Sequence, residues 1–125
     1  MAKILIVDDS TVEIHWLTNL LKQANHETIS AFNGIEGVRL CQQHLPDLVF
    51  MDVVMPGLNG FQATRQLKHN PITHHIPIIL LTTKDMDTDK AWGLRQGACD
   101  YLTKPIDNQI LFNCINSVLA KELTY

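Results

Sequence analysis

At 125 residues, with 46% apolar residues and a formal charge of -3, the chain has the length and composition of one globular domain. Its pI near 6.0 excludes the basic footprint that nucleic acid requires, and no Lys/Arg cluster marks an anionic membrane surface. Apolar runs of only a few residues, and an N-terminus lacking the length and cleavage site of a signal peptide, predict no membrane insertion and a cytoplasmic location.

Strands and helices alternate along the chain. Lys3–Val7 is the first apolar run. Ile14, Leu17, Leu21 and Ala24 then form a helical stripe that Asp9 or Ser10 can cap. Glu27–Ala31 is the second strand, and Val38 and Cys41 mark a short helix after Asn33-Gly34. Leu48–Met51 shows no apolar/polar alternation, which predicts a strand covered on both faces. Pro56, Gly57, Asn59 and Gly60 form a loop before a helix through Phe61, Thr64, Leu67 and Lys68, which ends ahead of Asn70-Pro71.

Ile78–Leu81 is the fourth strand. Asp87 and Asp89 open a fourth helix with a thin stripe of Ala91, Leu94 and Arg95; it stops at Gly97, and Trp92 points away from the stripe. Tyr101–Thr103 is the last strand. Leu111, Cys114, Ile115, Val118 and Leu119 share one face of the last helix, after which only Thr124 and Tyr125 remain. Cys41, Cys99 and Cys114 are odd in number and far apart, so reduced, mostly buried thiols are expected.

This alternation predicts one α/β domain over residues 1–125 with no output domain. Right-handed crossovers and a switch in strand order give a flavodoxin-like (βα)5 doubly wound parallel sheet in the order 2-1-3-4-5. Ligands of such sheets bind beyond the carboxyl ends of the strands, where the first and third lie side by side.

That rim is where the chemistry-bearing residues fall. The first strand ends in Asp8-Asp9, the third in Asp52, the fourth in Thr82 and the fifth in Lys104-Pro105. Three close carboxylates repel, so some take up protons or the group recruits a cation. Oxygen-only ligands with retained waters suit Mg²⁺. A desolvated Asp52 carboxylate can attack phosphorus, while the Thr82 hydroxyl and the Lys104 ammonium bind the transferred group.

No GxxxxGK[ST] loop is present, so a nucleotide is not the evident donor. Singly, each residue has a bland alternative: a helix cap for Asp8 or Asp9, an Asx-turn for Asp52, a backbone-bonded hydroxyl for Thr82 and a solvated lysine for Lys104. Their convergence on one rim favours the site. His69, His74 and His75 read as a solvated loop rather than a chelate, because adjacent residues of an extended chain point apart.

With these residues in view, the chain resembles the receiver domains of two-component response regulators over essentially its whole length. The matching pieces are ILIVDDS at Ile4–Ser10, LVFMDVVMPGLNG at Leu48–Gly60, IPIILLTTK at Ile76–Lys84 and GACDYLTKP at Gly97–Pro105. The resemblance implies that Asp52 accepts a phosphoryl group from a histidine kinase. It implies that Asp8, Asp9, Asp52 and the Val54 carbonyl hold Mg²⁺, and that Thr82 and Lys104 bind phosphoryl oxygens. Tyr101 matches the switch aromatic that follows Thr82, and a cis bond before Pro105 is expected. Phe50–Leu67 and Thr82–Pro105 look most like the PilH-type single-domain regulators, of the chemosensory system that controls type IV pili and twitching motility.

The implied protein is no turnover enzyme but a phosphoacceptor that catalyses its own phosphotransfer and dephosphorylation. A phosphohydrolase would need a second acid two residues past Asp52, where Val54 stands. Thr83 replaces the small residue that many receivers carry after the switch threonine, and should narrow access to the site. The output is then a contact with a motility component at the face of the fourth helix, fifth strand and fifth helix. The alternatives are a phosphate sink for a shared kinase, or a phosphorylation-independent adaptor.

Overall fold

The computed structural model describes residues 1–123; Thr124 and Tyr125 lie outside them. Strands β1 (Lys3–Val7), β2 (Glu27–Ala31), β3 (Leu48–Met51), β4 (Ile78–Thr82) and β5 (Asp100–Thr103) alternate with five helices. These are α1 (Thr11–Gln23), α2 (Gly34–His44), α3 (Gly60–His69), α4 (Asp87–Arg95) and α5 (Asn108–Leu123). All neighbouring strands pair parallel, in the predicted order β2-β1-β3-β4-β5.

The unbroken apolar runs follow from two covered faces. Leu5, Val7, Val49, Met51, Ile78 and Leu80 point to one side, where they meet Cys41 of α2 and Ala63 and Leu67 of α3. Ile4, Ile6, Leu48, Phe50, Ile79 and Leu81 point to the other, against Ile14, Leu17 and Leu21 of α1 and Leu111 and Ile115 of α5. Successive strand residues face opposite ways, so both sets must be apolar. Burying a side chain such as Phe50 contributes about 1.5–3 kcal/mol. This sandwich leaves the carboxyl-end loops as the place for polar chemistry.

Local signals set the helix starts. Ser10, one of the two caps the sequence offers α1, accepts the Glu13 N–H at 3.3 Å. Asn33 caps α2 through the Glu36 N–H at 2.8 Å, and Asn59 and Gln62 form a capping box at α3. With Ser10 as the cap, Asp9 is left exposed at the rim.

Two expectations need correcting. The stripe Ala91, Leu94 and Arg95 is not the inward face of α4, since all three are exposed. Its one buried residue is Gly93, whose Cα lies so near the Leu80 and Tyr101 side chains that a Cβ would stand 2.6 Å from Leu80 Cδ1 and 2.9 Å from Tyr101 Cδ2. A glycine carries no hydrophobic signal, so the packed face was invisible to a periodicity search. Trp92 is exposed as well. The thiols are free, but only Cys41 is buried; Cys114 is half-buried and Cys99 exposed, because it stands just outside β5, ahead of Asp100.

Candidate functional site

The loops after β1, β3, β4 and β5 converge on an acidic crevice. Asp8, at the end of β1, is 5% exposed, and Asp52, at the end of β3, is 9% exposed. One carboxylate oxygen from each of Asp8, Asp9 and Asp52 lies within 4.8 Å of the others. Among the described residues this is the one such group of three His, Cys, Asp or Glu side chains, and His74 and His75 sit exposed elsewhere.

Lys104 is the cation of the crevice. Its Nζ lies 2.8 Å from Asp8 Oδ2, 3.7 Å from Asp52 Oδ2 and 3.9 Å from Glu13 Oε2. The peptide bond from Lys104 to Pro105 is cis, as the resemblance implied. Glu13 went unnoticed in the sequence, although its place in the first turn of α1 aims it at the same rim. The signal was there in the spacing: a residue three past the cap of a helix that starts beside the site.

The two oxygens of Asp52 have different surroundings. Oδ1 accepts the N–H of Val53 at 2.7 Å and is approached by that of Val54 at 3.4 Å. Oδ2 faces Lys104. Val54 thus meets Asp52 through its main chain, with its side chain turned to solvent. Burial pushes the Asp52 carboxyl up from its ordinary range, and the Asp8 charge adds to this. The Lys104 ammonium, the Thr82 hydroxyl and the Val53 N–H pull the other way without reversing it. For Lys104, burial alone would lower the pKa, yet its bond to Asp8 and the charges of Asp52, Asp8 and Glu13 leave it raised.

Thr82 is fully buried at the end of β4. Tyr101, on neighbouring β5, lies inward at 8% exposure and donates its hydroxyl to the Lys84 carbonyl at 2.8 Å. Burial, followed by the charges of Asp89, Asp52 and Asp85, pushes its phenol up to about 12. The structure therefore brings Asp8, Asp9, Asp52 and Lys104 into one crevice, with Thr82 beside Asp52 and Tyr101 behind the next loop. Thr83 lies outside, exposed on the wall of a groove of about 600 Å³ that also runs past Val12, Trp16, Lys104 and Ile106.

Gly60 explains how α3 reaches this close to the site. A Cβ there would collide with the carbonyl oxygen of Asp52, and the Gly60 N–H bonds the Val53 carbonyl at 2.9 Å. Gly60→Ala should therefore cost about 1–3 kcal/mol by urea denaturation and displace Asp52. An unchanged midpoint would show that α3 yields freely.

The donor set fits a hard divalent ion. Three carboxylates face a single ammonium that is already bonded to one of them, which leaves negative charge uncompensated in a crevice of oxygen ligands. Asp8, Asp9 and Asp52 are the side chains that would hold it.

Known proteins show the same features. The family model for the response regulator receiver domain matches residues 4–116. The chain is 58% identical to protein PilH of Pseudomonas aeruginosa over 120 residues, covering 96% of this chain and 99% of that one. The chemotaxis protein CheY4 of Vibrio cholerae superposes with a TM-score of 0.88 at 30% identity, covering 94% of this chain and 98% of that chain. The receiver domain of the sensor histidine kinase PA1611 of P. aeruginosa PAO1 superposes with a TM-score of 0.88 at 28% identity, covering 95% and 98%. That structure has a magnesium ion coordinated in its active site cleft. With its sheet order, its acidic crevice and a match across nearly its whole length, the chain belongs to the response regulator receiver family, whose members take phosphoryl groups from histidine kinases.

Proposed function

We propose that this chain is a cytoplasmic switch protein that takes a phosphoryl group onto Asp52 from the histidine kinase of a chemosensory system controlling type IV pili and twitching motility. The observation that carries the chemistry is the asymmetry of Asp52: main-chain donors occupy Oδ1, while Oδ2 faces Lys104 across the crevice. The likeness to PilH supports the pathway.

Oδ2 is the nucleophile. It forms the new O–P bond as the P–N bond of the kinase's phosphohistidine breaks, and the imidazole nitrogen keeps that electron pair and takes a proton from solvent. Lys104 and the Thr82 hydroxyl donate to the transferring oxygens. Asp8, Asp9 and Asp52, with the Val54 carbonyl, would hold Mg²⁺, which would neutralise charge on those oxygens when bound. Water later attacks the phosphorus, the Asp52 O–P bond breaks, and the carboxylate is restored as inorganic phosphate leaves.

The signal passes from Thr82 to the loop before α4, to Tyr101 and to the α4–β5–α5 face, where a motility component docks. α4 suits this role, because a helix that buries only Gly93 is cheaply moved. We infer that the receiver unit delivers this output by itself.

The test is intact mass after incubation with acetyl phosphate and Mg²⁺. A single labile phosphoryl adduct, mapped to Asp52 and dependent on the metal, is expected. Its absence with both acetyl phosphate and a phosphorylated kinase would leave the adaptor reading. A lifetime too short to support any phosphorylation-dependent partner would favour the phosphate sink.

A further inference from the structure

The start of α4 has few ties. Its N-cap residue, Met86, makes no side-chain capping bond, and nothing before Gly93 is buried. What reaches the first turn is Lys84, whose Nζ lies 3.6 Å from Asp89 Oδ1. Lys84 is also bound on its other sides. Its carbonyl accepts the Tyr101 hydroxyl at 2.8 Å, and its N–H is directed at the Thr82 hydroxyl at 3.4 Å. One residue thus joins the crevice, the aromatic and the helix. The charges that move Asp52 are those of Lys104 and Asp8, while the Lys84 ammonium is paired with Asp89.

Resting on the phosphoacceptor reading above, we propose that Asp89 is a positioning residue that competes with the phosphoryl group on Asp52 for the Lys84 ammonium. Phosphorylation exchanges the Lys84–Asp89 pair for a Lys84–phosphoryl pair and frees the first turn of α4. A phosphoryl group carries up to about two negative charges against the single charge of Asp89. The lysine ammonium rides on a flexible four-carbon stem, so it can change partners without moving the backbone. The Lys84 side chain is 40% exposed and that of Asp89 18% exposed, and ion pairs open to water are weak enough to be outbid. Once released, the first turn keeps no cap, and its shift is felt at Gly93, where α4 rests on the Tyr101 ring.

The full chain is titrated with beryllium fluoride and Mg²⁺, whose adduct on a carboxylate has the shape of a phosphoryl group, and binding is read by fluorine NMR. Asp89→Asn should bind about two- to fivefold more tightly than wild type, since the competing carboxylate is gone. In a Lys84→Gln background the same change should have no effect, and Asp89→Glu should behave as wild type. In hydrogen exchange, the Lys90 amide, bonded to the Met86 carbonyl at 3.1 Å, should exchange faster on adduct formation in wild type. It should already be fast in free Asp89→Asn. An equal effect of Asp89→Asn in both backgrounds overturns the exchange of partners and leaves the acceptor standing. No adduct on wild-type Asp52 overturns the acceptor reading, and the exchange falls with it.

Discussion

Asp52→Asn will take up no phosphoryl group, and it will nevertheless unfold at a higher temperature than wild type. The loss is complete because an amide is no nucleophile toward phosphorus and the acceptor oxygen is gone. The gain comes from the charge. Burial and the Asp8 carboxylate hold the Asp52 carboxyl above its ordinary 3.8, so the folded state carries its ionised form at a cost. Asparagine keeps an oxygen for the Val53 and Val54 N–H groups without that charge. Lys104 keeps Asp8 at 2.8 Å.

The pH dependence fixes the sign. Below the unfolded value both states hold the proton and wild type suffers no penalty. As pH rises from there through the raised folded value, the unfolded chain releases its proton first and wild type loses stability. Above the folded value the deficit is constant. The mutant should thus match wild type near pH 3.5 and exceed it at pH 7, by on the order of 1 kcal/mol or about 4 °C without metal. Added Mg²⁺ should raise the wild-type midpoint and narrow that gap, as mass action requires of a ligand that binds only the folded state. A mutant less stable than wild type at pH 7 would show that the attraction to Lys104 outweighs burial.

The architecture was legible because both faces of the sheet are covered. β1, β2 and β3 have the bounds that their apolar runs suggest, and β4 and β5 differ by one residue each, Thr82 and Asp100. These two are polar, and an apolar search stops short of them; it is the backbone ladder that carries the strand through Thr82 paired with Thr103. α4 was legible as a helix but not as a surface. Its contact is made by the missing side chain of Gly93, so only the three-dimensional approach to Tyr101 reveals which face is inward.

The crevice divides in the same way. The convergence of Asp8, Asp9, Asp52 and Lys104 follows from strand order alone, since each stands at the carboxyl end of its strand. Topology does not disclose which oxygen of Asp52 is occupied, that Glu13 reaches Lys104, or that Asp89 holds Lys84. Those depend on side-chain directions set by helix starts and by a loop without a periodic pattern. Sequence therefore locates the acceptor, while the distribution of charge around it comes from the structure.

Lys104→Met is the sharper test of that charge distribution. The side chains of Lys104, Asp8 and Asp52 are 11%, 7% and 11% exposed, so removing the ammonium leaves two nearly buried carboxylates facing each other. Breaking a buried ion pair from one side typically costs 3–5 kcal/mol, and about 3 kcal/mol is expected here because Asp9 and the rim remain open to water. Since the Lys104 pKa is raised, its contribution is fully present below the ordinary 10.5 and is lost only as pH rises through the higher folded value. The whole deficit is therefore visible at pH 7. It should shrink on acidification, as Asp52, whose carboxyl burial already holds above its ordinary range, takes up a proton in place of the ammonium.

Lys104 and a divalent cation seek the same oxygens. Mg²⁺ should therefore stabilise Lys104→Met more than wild type in urea titrations, even though phosphoryl transfer stays impaired because one donor to the transferring oxygens is missing. A deficit under about 0.5 kcal/mol, the size of an exposed pair, would place the ammonium outside the acidic cluster's balance. A deficit that Mg²⁺ leaves untouched would separate the ion's site from these carboxylates.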